Sequence, residues 1–217
     1  MPQARRRRTP ERTIGRLSLY RRLLERLLET GVENVFSHQI ASAAGCTAAQ
    51  VRRDLMSIGH SATNRKRGYD VARLIVSIGR FLGADRRMGV ALVGVGNLGR
   101  AIIGFFSRRR DRLALVAAFD RDPERAGRAI HGCPCHTMDE LDEVIRREHI
   151  EVAIITVPAA GAQEVADRLV QAGVRGLLNF APVPLRVPAR VYVEDVDMTR
   201  SLERVAFFVR QGGGRTA

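Results

Sequence analysis

The stretch MGVALVGVGNLG, residues 88–99, decides how this chain is read. Its first six residues, Met88–Val93, carry no charged or polar side chain, the pattern of a short strand buried on both faces of a parallel sheet. Gly94, Gly96 and Gly99 follow at once, with Val95, Asn97 and Leu98 between them. A lone GxGxxG is a weak signal. Here a strand precedes it and a helical stretch, Arg100–Ser107, follows, which makes it the turn of a dinucleotide-binding unit. Gly94 permits the tight turn, Gly96 lets a pyrophosphate approach the backbone, and Gly99 lets the helix pack on the strand. The helix N-terminus offers N–H groups and partial positive charge to the phosphates.

Downstream the pattern continues. A second strand, Leu113–Phe119, ends in Asp120, 21 positions past Gly99, where such a unit places the carboxylate that binds the adenosine ribose. That charge repels a 2′-phosphate and favours NADH/NAD⁺ over the phosphorylated pair; the neighbouring Arg121 pulls the other way. Strand-like runs recur at Val152–Val157, Gly176–Phe180 and Arg190–Val193, separated by helical segments Met138–Glu148 and Ala160–Ala172. Alternation of this kind predicts a doubly wound parallel sheet, with ligands at the carboxyl ends of its strands. Two loops fall there, Thr156-Val157-Pro158 and Asn179-Phe180-Ala181-Pro182. They read as neighbours of the nicotinamide or as proline-stiffened turns. Neither contains Lys, His or Tyr to act as acid or base, and no substrate domain follows. A sensor is therefore expected, not an enzyme.

His131, Cys133, Cys135 and His136 crowd into six residues. They permit a metal or thiol-switch role, but the Cys spacing is narrower than zinc sites use. A loop entering a short strand, with Cys135 in the core, is the preferred reading, and no metal is expected.

Upstream the charge changes. Residues 1–88 hold 18 Lys+Arg against 7 Asp+Glu, and residues 89–217 hold 18 against 16. A basic first part beside a nearly neutral second part fits a polyanion-binding module fused to another domain. Residues 1–12 read as a disordered basic arm. From Thr13 to Thr30, Leu17, Tyr20, Leu23, Leu24, Leu27 and Leu28 share one helical face, and Gly31 follows as a C-cap. Ser37 is the expected N-cap of a helix His38–Ala44. Gly45 turns the chain, and Thr47 opens Thr47–Ile58 with Gln50 completing a capping box. Two short helices around a tight turn make a helix-turn-helix, whose second helix enters the major groove. Gln50 suits an adenine edge, and Arg52 and Arg53 suit guanine edges or phosphates. Arg16 and Thr47 join them as expected DNA contacts. Arg65, Lys66 and Arg67, between Gly59 and Gly68, read as the basic tip of a two-stranded wing. The plainer alternative is a surface helix pair with surface arginines. A further helix, about Val71–Leu82, leads to a boundary at Gly83-Ala84-Asp85.

The expected organisation is thus an α/β chain: arm 1–12, winged helix 13–84, Rossmann-type domain 85–196, terminal helix 197–211 and tail 212–217. The terminal helix carries Leu202, Val205, Ala206 and Val209 on one face, widened by Phe207 and Phe208, and needs a partner surface. Apolar runs are too short to span a membrane. No apolar stretch follows Arg5–Arg8, so no secretory signal is expected. Three cysteines suggest a reducing cytoplasm.

With both halves in view, the chain resembles the redox-sensing transcriptional repressors of the Rex family. The marks are the domain order, TAAQVRRDL at Thr47–Leu55, GVGNLG at Gly94–Gly99, Phe119-Asp120, Thr156-Val157-Pro158, LNFAPV at Leu178–Val183 and VEDVD at Val193–Asp197. The resemblance implies a homodimer on palindromic operator DNA, with each terminal helix swapped into its partner and NADH releasing the DNA. It also implies that Arg22 and Asp197 form a pair bridging domains and subunits. The chain departs from the pattern at Phe105, where a Tyr is frequent, and at Met198, where an aromatic is frequent. It departs again at the recognition-helix end, Met56-Ser57-Ile58, and in the wing. The competing reading is an NAD(H)- or CoA-binding metabolic enzyme, or a nucleotide-binding protein that does not bind DNA.

Overall fold

The computed structural model describes residues 9–60, 67–83, 87–107 and 113–211. The chain divides into two compact units, with the boundary between Arg86 and Arg87.

In the first unit, α1 (Glu11–Glu29) is the longest helix. It begins inside the segment expected to be a disordered arm, with Pro10 as N-cap and its carbonyl accepting from the Thr13 N–H at 2.8 Å. Its buried stripe is Leu17, Tyr20 and Leu24, with Leu23 and Leu27 half-buried and Leu28 exposed. β1 (Asn34–Val35) leads into α2 (Ser37–Ala44). Ser37 is the first helical residue and not the cap; the Phe36 N–H is instead met by Gln39 Oε1 at 2.7 Å. Gly45 closes α2 at φ 63°, and α3 (Ala48–Ser57) follows. Thr47 caps it, its hydroxyl accepting from the Gln50 N–H at 3.1 Å. The return half of the expected capping box is missing, because the Gln50 side chain is engaged elsewhere. β2 (Tyr69–Asp70) pairs antiparallel with β1 and feeds α4 (Val71–Phe81). The strand that follows the expected wing thus pairs with residues before α2, a two-residue contact too short to show periodicity. Gly68, at φ 75°, is obligatory there: a Cβ would lie 2.5 Å from the Val35 carbonyl oxygen. Leu17, Tyr20, Leu24, Ile40, Val51, Leu55, Leu74 and Ile78 form the core between α1, α2, α3 and α4. Arg65 and Lys66 lie outside the described residues.

The second unit is built on β3 (Met88–Val93), α5 (Asn97–Ser107), β4 (Leu113–Asp120), β5 (Ala129–Ile130), β6 (Cys133–Thr137) and α6 (Leu141–Arg147). β7 (Val152–Ile155), α7 (Ala159–Ala172), β8 (Gly176–Asn179), β9 (Tyr192–Asp195) and α8 (Met198–Arg210) complete it. The sheet order is β5-β6-β4-β3-β7-β8-β9. All neighbours run parallel except the short β5, which returns on β6. Without β5 this is the doubly wound dinucleotide-binding order, which reverses between β3 and β7.

Alternation along each strand distributes the core. Ala91, Val93, Ala117, Phe119, Ala153 and Ile155 face α6 and α7, and Val90, Leu92, Ala118 and Ile154 face α5. Both sheet faces are therefore apolar, as the run at residues 88–93 requires. Several bounds move. β7 stops at Ile155, α5 starts at Asn97, Met138–Glu140 winds as a 3₁₀ turn before α6, and β9 lies two residues later than expected. Strand pairing decides that last shift, since Gly176 aligns with Tyr192 and Asn179 with Asp195.

Candidate functional site

The parallel register draws a line across the carboxyl edge of the second unit's sheet. Phe119, Val93, Ile155, Asn179 and Asp195 sit side by side on β4, β3, β7, β8 and β9. Every loop singled out for nucleotide contact leaves the sheet at this line.

The glycine turn is held by sterics from three sides. Gly94 has φ 100°, and a Cβ would meet Val157 Cγ1 at 2.8 Å and the Thr156 carbonyl at 2.9 Å. At Gly99 a Cβ would overlap the Gly94 carbonyl oxygen. At Gly96 a Cβ would touch nothing within 4 Å, so the space over it is open to a ligand. The residues fit a pyrophosphate. Asn97, Leu98 and Gly99 lie in the first turn of α5, where N–H groups have no intrahelical acceptor. The Val95 N–H is committed, since it donates to Asp120 Oδ2 at 2.6 Å.

Asp120 ends β4 nearly buried. Its Oδ1 accepts from the Asp122 N–H at 2.9 Å, and Arg125 Nη1 stands 3.3 Å from Oδ2. The carboxylate thereby ties the glycine turn to the β4 loop and keeps lone pairs for further donors. Arg121, flagged by adjacency, is exposed. Arg125 is the cation beside the acid and also pairs with Asp122 at 3.1 Å. Arg100 completes the rim, donating to Asn97 Oδ1 at 2.7 Å. Sequence reasoning missed both arginines, because in so arginine-rich a chain no spacing singles them out.

The nicotinamide-side loops are turned partly inward. Thr156 Oγ1 lies 2.7 Å from the Gly94 carbonyl oxygen and 3.1 Å from that of Val93, so its single proton serves the backbone. Asn179 is buried and spends its amide on the Val183 carbonyl, Asp195 Oδ1 and the Ala181 N–H, at 2.9, 2.8 and 3.0 Å. It fastens the Asn179–Pro182 loop to β9, a link the sequence did not suggest. Phe180 is half-buried, Ala181 buried, and Pro158, Pro182 and Phe105 exposed.

In the first unit, Thr47, Arg52 and Arg53 are exposed on α3, while Gln50 is half-buried. Arg67 is exposed in the turn before β2. Arg16 departs from expectation. Its Nε and Nη2 grip Asp54 at 2.7 and 2.8 Å, so its charge is spent inside the unit. Burial alone would raise the Asp54 carboxyl. Donors from Arg16, Gln50 and Tyr20 outweigh it and hold the group below the ordinary carboxylate range. The same contact pushes Arg16 up, and burial pushes the Tyr20 hydroxyl up. Arg22 is exposed on α1, and Asp197 caps α8 by accepting from the Arg200 N–H at 2.9 Å.

Two family models match the chain, one described as "CoA binding domain" over residues 85–183 and one as "Putative DNA-binding protein N-terminus" over residues 8–55. The redox-sensing transcriptional repressor Rex of Carboxydothermus hydrogenoformans is 44% identical over 202 residues, 93% of this chain and 97% of that one. This chain belongs to the Rex family. Rex of Streptomyces coelicolor is 41% identical and covers 100% of this chain and 83% of its own length. The crystal structure of RSP, a Rex-family repressor, superposes with a TM-score of 0.85 at 32% identity, over 94% of this chain and 96% of that one. RSP in complex with beta-NAD⁺ and operator DNA matches equally, with a TM-score of 0.85 at 32% identity over 96% and 99% of the two chains. The Rex fold accounts for the two unlike units, a helical first unit and a Rossmann-type sheet.

The His–Cys cluster does not assemble in this Rex chain. Cys133 and Cys135 are buried against α5 among Ile103 and Leu92. Burial pushes the Cys133 thiol up to about 11 and raises Cys135 as well, so both stay protonated. His136 leans on Phe119 and faces Glu140 at 3.5 Å. Among the described residues no group of His, Cys, Asp and Glu is arranged to hold a metal ion.

Proposed function

We propose that this chain binds palindromic operator DNA as a homodimer and releases it when NADH occupies the second unit, so that repression follows the NADH/NAD⁺ ratio. The observation that carries the reading is the Gly94–Gly99 turn, open only over Gly96 and locked at its other glycines, beside the buried Asp120 carboxylate. Gly96 and the first turn of α5 would hold the pyrophosphate. Asp120 would bind the adenosine ribose, with Arg121 at its edge. Thr156-Val157-Pro158, Asn179–Pro182 and Phe105 would border the nicotinamide. NADH supplies a hydride in enzymes; in this chain it would act as a ligand whose redox form is read.

Thr47, Arg52, Arg53 and the wing residues Arg65, Lys66 and Arg67 would face DNA, with Gln50 beside Arg53 on α3. The dimer would form through α8, on which Met198, Leu202, Val205, Phe207, Phe208 and Val209 are all exposed. Such a surface favours burial against a second copy. The family likeness supports a swapped helix, with Arg22 and Asp197 of different subunits paired in one nucleotide state. The protein would work where its operator lies, in the cytoplasm. Among the described residues, no helix is long and apolar enough to cross a membrane.

A coupling of about 1–3 kcal/mol between nucleotide and DNA changes operator affinity roughly 5- to 150-fold. Titrating an operator complex with NADH, NAD⁺ and NADPH tests the switch. NADH is expected to release DNA at the lowest concentration. Release by none of them overturns the sensor. NADH binding without any change in DNA affinity points to the NAD(H)- or CoA-binding metabolic protein.

A further inference from the structure

We infer that Gln50 is a positioning residue that does not read a base, and that its side chain, clamped by Asp54, aims Arg53 at a guanine edge. This rests on the reading of α3 as the helix that meets DNA.

The hydrogen bonds leave Gln50 one arrangement. Its Nε2 stands 2.8 Å from Asp54 Oδ1, and its Oε1 stands 3.1 Å from Arg53 Nη2. A carboxylate only accepts and a guanidinium only donates, so the amide nitrogen must face Asp54 and the amide oxygen must face Arg53. A flipped amide would set donor against donor and acceptor against acceptor. Pairing with adenine needs that same oxygen and nitrogen together. Both ends are already held by the protein.

The clamp is anchored in the core. Asp54 is 3% exposed. It takes two bonds from Arg16 and a third from the Tyr20 hydroxyl, at 3.0 Å from Oδ2. Tyr20 in turn lies 3.4 Å from Cys46 Sγ in the turn before α3. A carboxylate held by three bonds from two side chains is fixed in place, and it passes its position to Gln50 one turn earlier on α3. Gln50 passes it to Arg53, three residues on. Arg53 is exposed and gives one of its five N–H groups to Gln50. The remaining fork suits the paired acceptors of guanine, O6 and N7. Holding an arginine in place before binding reduces the entropy lost on contact, and so sharpens discrimination. Arg52 is separately occupied, its Nη1 lying 3.1 Å from Ser37 Oγ.

The test is selection of bound DNA from a random duplex pool by the full-length chain and by Gln50→Met, Arg53→Ala and the double variant. Gln50→Met keeps the length and charge of the side chain but has no amide. Arg53→Ala is expected to weaken preference for G at one half-site position about 5- to 150-fold, the range one bidentate pair supplies. Gln50→Met is expected to weaken the same position about 2- to 10-fold, the worth of one hydrogen bond. The double variant should lose no more than Arg53→Ala. Affinity of Gln50→Met for unrelated DNA, and its salt dependence, should match the parent, because no charge changes; a merely structural defect would lower both affinities together. If the two single variants alter different positions, or Gln50→Met abolishes a preference for A, the inference is overturned. A uniform loss for Arg53→Ala with unchanged base preference also overturns it. A parent chain that enriches no sequence sinks the DNA-binding reading itself.

Discussion

Arg16 and Asp54 meet side-on, Nε to Oδ2 at 2.7 Å and Nη2 to Oδ1 at 2.8 Å, across 38 residues of sequence. The pair joins α1 to α3 beneath the surface that α3 presents, and it turns a residue expected on DNA into a strut. Arg16→Ala leaves Asp54 buried with only Tyr20 and Gln50 as donors. The expected cost is about 1–3 kcal/mol in the first unit, below the full loss of a buried pair because Arg16 is partly exposed. Urea titration of the full chain, followed by a probe in the first unit, checks this.

The same pair fixes an acid dependence. The Asp54 carboxyl is depressed in the folded state, so the stability it lends is complete above the ordinary carboxylate value of about 3.9. It fades as pH falls from there through the lower folded value, because the unfolded chain takes up the proton first. In Arg16→Ala that acid limb should flatten, since part of the depression is gone. Unfolding midpoints between neutral pH and about pH 3 measure it; parallel curves for parent and variant would refute the link.

Two glycines of one turn should behave differently. Gly96→Ala meets open space, so stability without ligand should stay within about 1 kcal/mol of the parent's. The stabilisation that NADH adds should fall sharply, because the methyl occupies the approach to the backbone. Gly99→Ala overlaps the Gly94 carbonyl oxygen and should lower the melting temperature even without nucleotide. Thermal unfolding with and without NADH separates the two.

Asp120→Ala removes the acceptor of the Val95 and Asp122 N–H groups and the expected ribose partner. NADH affinity should drop by tenfold or more, and the preference for NADH over NADPH should shrink, because the charge opposing a 2′-phosphate is gone. The chain has no Trp, so bound NADH can be followed by its own fluorescence. An unchanged ratio of the two affinities would remove Asp120 from the ribose.

On α8, Leu202→Glu with Val205→Glu should leave the melting of each unit near the parent's, because both side chains are exposed in the single chain. Mass in solution should move from dimer to monomer, and operator affinity should fall with it. Sedimentation at several concentrations decides this.

Local pattern carried most of the architecture. Six apolar residues, three spaced glycines and an acid at the end of the next strand specify a Rossmann turn because each acts on its immediate neighbours. The α2–α3 pair was legible for the same reason, through Gly45 and Thr47. Short or non-local elements were not legible. β1 and β2 have two residues each and exist only because they pair. The two-residue β5 likewise arises where Gly127 and Cys135 close on one another, their backbones 2.7 Å apart, whereas the short strand through Cys135, β6, was legible.

The sequence alone determined that a basic helical unit precedes a nucleotide-type sheet, since charge, periodicity and glycine spacing are properties of neighbouring residues. Only the tertiary structure decided what each polar side chain does. It paired Arg16 with Asp54, and it turned Gln50 toward Asp54 and Arg53. It also set Arg125 beside Asp120 and joined Asn179 to Asp195. Buried polar atoms must find partners, and those partners are chosen by distance in space, which spacing along the chain does not reveal.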